Sequence, residues 1–157
     1  MKYFLLVIAI FYTLVDAEEL KIKADVFNAD QAKGISNFKG HVNIVKANDE
    51  LNASEVTIFT NKKNKPTKFI AQGDVSFVIT TKEKAKYTGI ANKVVYAPKE
   101  KEYKFFGNVH LKQINEKKEI LGDEVILNAV SGKAYAKGVK KEPVIMIFDI
   151  PDEKEEK

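Results

Sequence analysis

Gly40-His41-Val42-Asn43-Ile44, Gly73-Asp74-Val75-Ser76-Phe77 and Gly107-Asn108-Val109-His110-Leu111 are three copies of one pattern, glycine-x-valine-x-apolar. From position 40 to 73 is 33 residues, and from 73 to 107 is 34. A fainter fourth copy opens at Gly138-Val139. Between the copies runs a second pattern, small-polar-charged-valine: Ala53-Ser54-Glu55-Val56, Ala91-Asn92-Lys93-Val94 and Gly122-Asp123-Glu124-Val125, with Asp25-Val26 as a looser first copy. Apolar residues two apart mark strands with one wet face, and a repeat of this length holds two strands joined by turns. A single such hairpin cannot bury its own apolar face, whereas a stack of copies forms a continuous interior. The expected fold class is therefore all-β, a single roll of stacked antiparallel hairpins with two facing sheets. The glycines belong at a bend or bulge of the strands.

The remaining punctuation agrees. After the first 17 residues, no window longer than about ten residues shows a sustained helical stripe. The four prolines, Pro66, Pro98, Pro143 and Pro151, stand at segment borders, and the lysine-rich stretches Asn61–Lys65 and Lys99–Glu102 read as hairpin loops. Asp49-Glu50 and Asp123-Glu124 read as charged turns or edges, because neighbours on a strand point to opposite faces and make a poor acid–base pair. Alternation assigns the interior to Ile22 on the first strand, Phe38, Val42 and Ile44 on the next, then Val56 and Ile58, Val75 and Phe77, Val94 and Tyr96, Phe105, Val109 and Leu111, and finally Val125 and Leu127. His41 and His110 fall on the polar side of their strands.

Val144-Ile145-Met146-Ile147-Phe148 departs from this alternation, being apolar at every position. A continuous run predicts a strand covered on both faces, either within the monomer or by a second molecule joined at the sheet edge. The opposite edge is expected around Leu20–Val26.

The ends of the chain carry a different signal. Lys2 precedes a twelve-residue stretch, Phe4–Val15, apolar except for Tyr12 and Thr13, that closes on Val15-Asp16-Ala17. This is the layout of a secretory signal peptide cleaved after Ala17. A twelve-residue helix rises about 18 Å against a hydrocarbon core of about 30 Å, which disfavours a membrane anchor. The expected organisation is a signal peptide over 1–17, one domain over 18–150 and a disordered charged tail over 151–157, in an exported, soluble protein.

Composition narrows the chemistry. The chain has 157 residues, 45% of them hydrophobic, and no cysteine. Disulfides, thiolate nucleophiles and Cys-based metal sites are therefore excluded. Two histidines are too few for most histidine-rich metal sites, and no phosphate loop, nucleophile elbow or His-Glu-x-x-His motif occurs. The expectation is a non-enzyme without metal or cofactor. All 26 basic residues are lysine, spread among 22 acids. Without arginine there is no bidentate base reading, and nucleic acid is not an expected partner. One local motif stands apart: Glu50-Leu51-Asn52-Ala53-Ser54 fits the acidic-x-Asn-x-Ser sequon of some bacterial periplasmic glycosylation systems, and it also fits a chance occurrence.

The ordered Gly-x-Val-x-apolar and Ala-x-x-Val strands behind a leader, with the lysine-proline step of Asn64-Lys65-Pro66-Thr67-Lys68-Phe69, resemble the OstA-like family over about residues 20–148. The resemblance implies an open-ended β-jelly roll of V-shaped hairpins, located in the periplasm. It further implies that lipopolysaccharide, through lipid A, is the cargo, and that the inward apolar residues shelter its acyl chains. Implied partners are an inner-membrane LptC-like protein, an outer-membrane LptD-like protein and further copies joined head to tail. Two alternatives stand beside this one: a membrane-anchored LptC-like role should Phe4–Val15 stay uncleaved, and a dry β-roll that only joins partners.

Overall fold

A computed structural model describes residues 19–139 and 142–150. The expected signal peptide, residues 1–17, and the expected disordered tail, residues 151–157, lie outside the described residues. Ten strands follow in chain order: β1 (Leu20–Lys23), β2 (Val26–Asp30), β3 (Ile35–Lys46), β4 (Asp49–Thr60), β5 (Pro66–Thr80), β6 (Lys86–Ala97), β7 (Glu102–Gln113), β8 (Lys118–Asn128), β9 (Ala134–Lys137) and β10 (Ile145–Phe148). They form one antiparallel sheet in the order β1-β3-β4-β5-β6-β7-β8-β10. β2 also pairs with β3, and β9 with β8.

The long strands are bent at one column of bulges, which explains both sequence patterns together. In β3, Lys39 pairs with Glu55 and Val42 with Ala53, so Gly40-His41 oppose the single residue Ser54. Gly73-Asp74 likewise oppose Asn92, and Gly107-Asn108 oppose Asp123. Both residues of each bulge have positive φ: Gly40 +79° and His41 +46°, Gly73 +80° and Asp74 +45°, Gly107 +76° and Asn108 +47°. Glycine takes this region freely, and Asn, Asp and His are the side chains that best tolerate it. The variable letter after each glycine is thus the second half of a bulge. His41 sits there, not at an alternating strand position.

The polar letter of the second pattern covers the glycine from the other side. A Cβ on Gly73 would lie 2.7 Å from Ser54 Oγ, and one on Gly107 would lie 2.5 Å from Asn92 Nδ2. Asp25 stands over Gly40 in the same way, and its carboxylate also meets His41 Nδ1 at 2.7 Å. Asp123 and Glu124, expected in a turn, instead lie within β8 on this seam.

The seam divides the sheet into two arms that face each other. Phe77 of β5 and Phe105 of β7 lie on opposite sides of it, in strands separated by β6, yet their rings stack at 4.5 Å. Lys82 N donates to Ala129 O at 3.1 Å, tying the β5–β6 turn of one arm to the β8–β9 turn of the other. The two layers expected from sequence are therefore one sheet folded on itself, a flattened roll.

Both edges break where the seam reaches them. β1 and β2 separate at Ala24-Asp25, where Asp25 N donates to Gly40 O at 2.9 Å. β9 and β10 separate around Gly138–Val144, where Val139 bridges Glu142. The faint fourth pattern copy falls in this break and is no bulged strand. Val144 precedes β10 and does not belong to it. Ile145, Met146, Ile147 and Phe148 are each about half exposed, so the monomer covers neither face of this run.

Candidate functional site

Alternation sorts the side chains into an apolar inside and a mixed, mostly polar outside. On the outside, Asn37 Nδ2 donates to Glu55 at 2.8 Å, and Asn43 Nδ2 donates to Glu50 at 2.8 Å. His110 Nε2 lies 3.1 Å from Glu119 Oε2, with Lys112 Nζ 3.3 Å from Oε1. The hydrogen bond from His110, assisted by Lys112, holds the Glu119 carboxyl below the usual carboxylate range.

The inside is a contiguous apolar cluster. Val42, Val56, Ile58, Val75, Phe77, Val94, Phe105, Val109, Leu111, Val125 and Leu127 are buried, none more than 6% exposed. Ile22, Phe38 and Ile44 are partly buried against them, and Tyr96 is half-buried. The structure thus gathers all fifteen sequence-assigned residues onto one face.

Others belong there too. Ala53, Ala71, Ile79, Tyr87 and Ala91 are buried, and Leu51, Phe69, Tyr103 and Ile120 pack against the core. Ala53 and Ala91 escape the alternation because the bulge opposite shifts the inward parity of the even strands, so the inward residues are Ala53 and Val56, three apart. Tyr103 stands two residues before Phe105, and the period of two could have found it.

Between the arms the cluster opens into a cavity of about 290 Å³. One arm contributes Leu20, Ile44, Leu51 and Ile79, and the other Phe69, Tyr96 and Tyr103; Lys46, Asp49 and Lys101 add charge to the lining. The Tyr96 and Tyr103 rings stack at 4.3 Å, with Phe69 5.9 Å from Tyr96. Burial, reinforced by Tyr96 and Asp49, raises the Tyr103 phenol far above its ordinary value, so it stays neutral. Among the described residues, no buried side-chain nitrogen or oxygen lacks a partner, and no three His, Cys, Asp or Glu side chains group as metal ligands.

The apolar face also runs out to both edges of the sheet. Phe27 extends it past Phe38, the two rings 4.9 Å apart, and is 58% exposed. At the other edge Met146 pairs with Ile120 and is 56% exposed. Among the described residues, exposed apolar side chains thus stand at both edges of the sheet. No helix among the described residues is long and apolar enough to cross a membrane.

Comparison with known proteins agrees with this geometry. The crystal structure of LptH, described as the LptA-homologous periplasmic component of the lipopolysaccharide transport device of Pseudomonas aeruginosa, superposes with a TM-score of 0.74. The match covers 85% of this chain and 96% of that one, at 13% sequence identity, and so concerns the fold. Among curated proteins the sequence finds no match. The sequence model of the family described as LptA/(LptD N-terminal domain) LPS transport protein matches residues 21–133, and the chain belongs to that family.

Proposed function

We propose that this protein is a periplasmic carrier that shelters the acyl chains of lipid A between its arms and hands lipopolysaccharide from an inner-membrane LptC-like protein to an outer-membrane LptD-like protein. The observation that carries the reading is the apolar cavity lined from both arms, in a sheet that carries exposed apolar residues at both edges. Each methylene moved from water into such a groove gains about 0.8 kcal/mol, so several acyl chains supply a large driving force without chemistry in this chain. Headgroup phosphates stay in water, within reach of lysines such as Lys46 and Lys101 at the cavity. Edge strands that leave backbone groups unpaired suit head-to-tail extension, β10 of one copy meeting the β1–β2 edge of the next and prolonging the groove. In this reading residues 1–17 are removed after Ala17 on export.

The test is site-specific photo-crosslinking in cells making lipopolysaccharide. A crosslinker at Ile44 or Tyr96, inside the groove, captures lipopolysaccharide, and one at Ser76 or His110, on the outer face, does not. Equal capture from both faces removes the argument for a sided groove. Absence of lipid from every inward position leaves the dry scaffold.

A further inference from the structure

We propose that Asn52 is an acceptor for an N-linked glycan, attached to the exported chain before β4 is built into the sheet. Asn52 is the one asparagine in the sequence followed two residues later by serine or threonine, and the acidic residue Glu50 stands two before it. The structure separates the motif by face. Leu51 and Ala53 point inward, while Glu50, Asn52 and Ser54 are exposed on the outside. A glycan on Asn52 therefore projects away from the lipid groove. Asn43 Nδ2 donates to Asn52 Oδ1 at 2.9 Å, a bond that uses the amide oxygen and leaves the amide nitrogen as the atom carrying the sugar.

Beside Asn52 the outer face has a concavity of about 390 Å³, lined in part by Ser76, Thr88, Ile90 and His110. Ile90 is 55% exposed there. An apolar side chain ringed by hydroxyls and an imidazole suits the first sugars, whose C–H faces cover Ile90 while their hydroxyls meet Ser76 and Thr88.

The same structure sets the order of events. Asn52 pairs with Asn43 on one side and Ser76 on the other, and the Ser54 hydroxyl donates to Gly73 O at 3.2 Å. A transferase needs the residues around the asparagine as free peptide, which a strand bonded on both sides cannot offer. In the reaction, Nδ2 of Asn52 forms a bond to the anomeric carbon of a polyprenyl-diphosphate-linked oligosaccharide. The anomeric C–O bond breaks, the polyprenyl diphosphate leaves with the bonding electrons, and one Nδ2 proton passes to solvent.

The experiment expresses the full chain with a bacterial oligosaccharyltransferase specific for acidic-x-Asn-x-Ser, beside a flexible acceptor peptide carrying the same sequon. The expected result is an intact mass raised by one glycan, lost in Asn52→Gln and in Ser54→Ala, and sharply reduced in Glu50→Ala. An unshifted mass while the peptide is modified overturns the site. In vitro, urea-unfolded chain accepts the glycan from the lipid-linked donor and folded chain does not. Equal modification of the folded chain overturns the proposed order. Lipid capture from inside the groove is read separately and stays unchanged by the glycan, so this proposal and the carrier reading fail independently.

Discussion

Phe105 and Phe148 are the same residue on the same inner face of one sheet, and they have opposite fates. Phe105 is fully buried, with Phe77 stacked on it from the opposing arm. Phe148 is 54% exposed, on the strand beyond which the sheet has no further neighbour along that arm. Burial in this fold is decided by position in the strand order more than by residue type. The middle strands are enclosed by neighbours on both sides and by the facing arm. The edges keep equally apolar residues open.

The largest expected effect tests that contrast directly. Phe105→Ala should cost about 3–5 kcal/mol, as large-to-small changes in a packed core do, whereas Phe148→Ala should stay within about 0.5 kcal/mol. Urea unfolding of the monomer measures both, and comparable losses would erase the distinction between middle and edge.

The second contrast lies between glycines. Gly73 has φ +80° with Ser54 Oγ 2.7 Å from any added Cβ, while Gly132 has φ +70° with nothing within 4 Å. Gly73→Ala should cost about 1–3 kcal/mol and Gly132→Ala about 1 kcal/mol, the backbone penalty alone. Equal costs would mean that the cover over the seam contributes nothing.

Third, a charge at the open edge should act between molecules and not within one. Ile147→Lys is expected to leave far-UV circular dichroism and the unfolding midpoint nearly unchanged while lowering oligomer size in sedimentation at high concentration. Unfolding of the variant would place β10 in the monomer's own stability. Oligomers that persist unchanged would remove this edge from self-association.

The smallest effect is a pH slope on the outer face. Glu119 is held below the ordinary glutamate value of about 4.3, so it adds stability above that pH and loses it as pH falls through the lower folded-state value. Glu119→Gln should flatten the acid limb of melting temperature against pH, without changing the core variants' losses.

Most of the fold was legible because two simple periods coincide in the sequence. The alternation over Val75-Ser76-Phe77 and Val109-His110-Leu111 assigns faces, and the 33–34-residue spacing of the glycines assigns hairpins. What a linear reading could not supply was register. The sequence shows Gly-x and Ala-x-x-Val as separate patterns, and only pairing of Gly40-His41 against Ser54 reveals them as two sides of one bulge. That offset hid Ala53 and Ala91 from the interior and made Asp123-Glu124 look like a turn. The apolar run 144–148 was equally ambiguous, since hydropathy cannot tell a doubly covered strand from an uncovered edge.

From β3 to β8 the order of strands in space is the order in the sequence. No strand of this meander waits for a partner beyond its neighbour in the chain, so a chain delivered N-terminus first adds each strand to a template already in place. Nor, among the described residues, does the first strand of the sheet pair with the last, so the number of strands is not fixed by a ring that must be completed. Duplication of one bulged hairpin, such as β5–β6, would lengthen the trough without redesigning either end. Length here is a quantity that can change by counting.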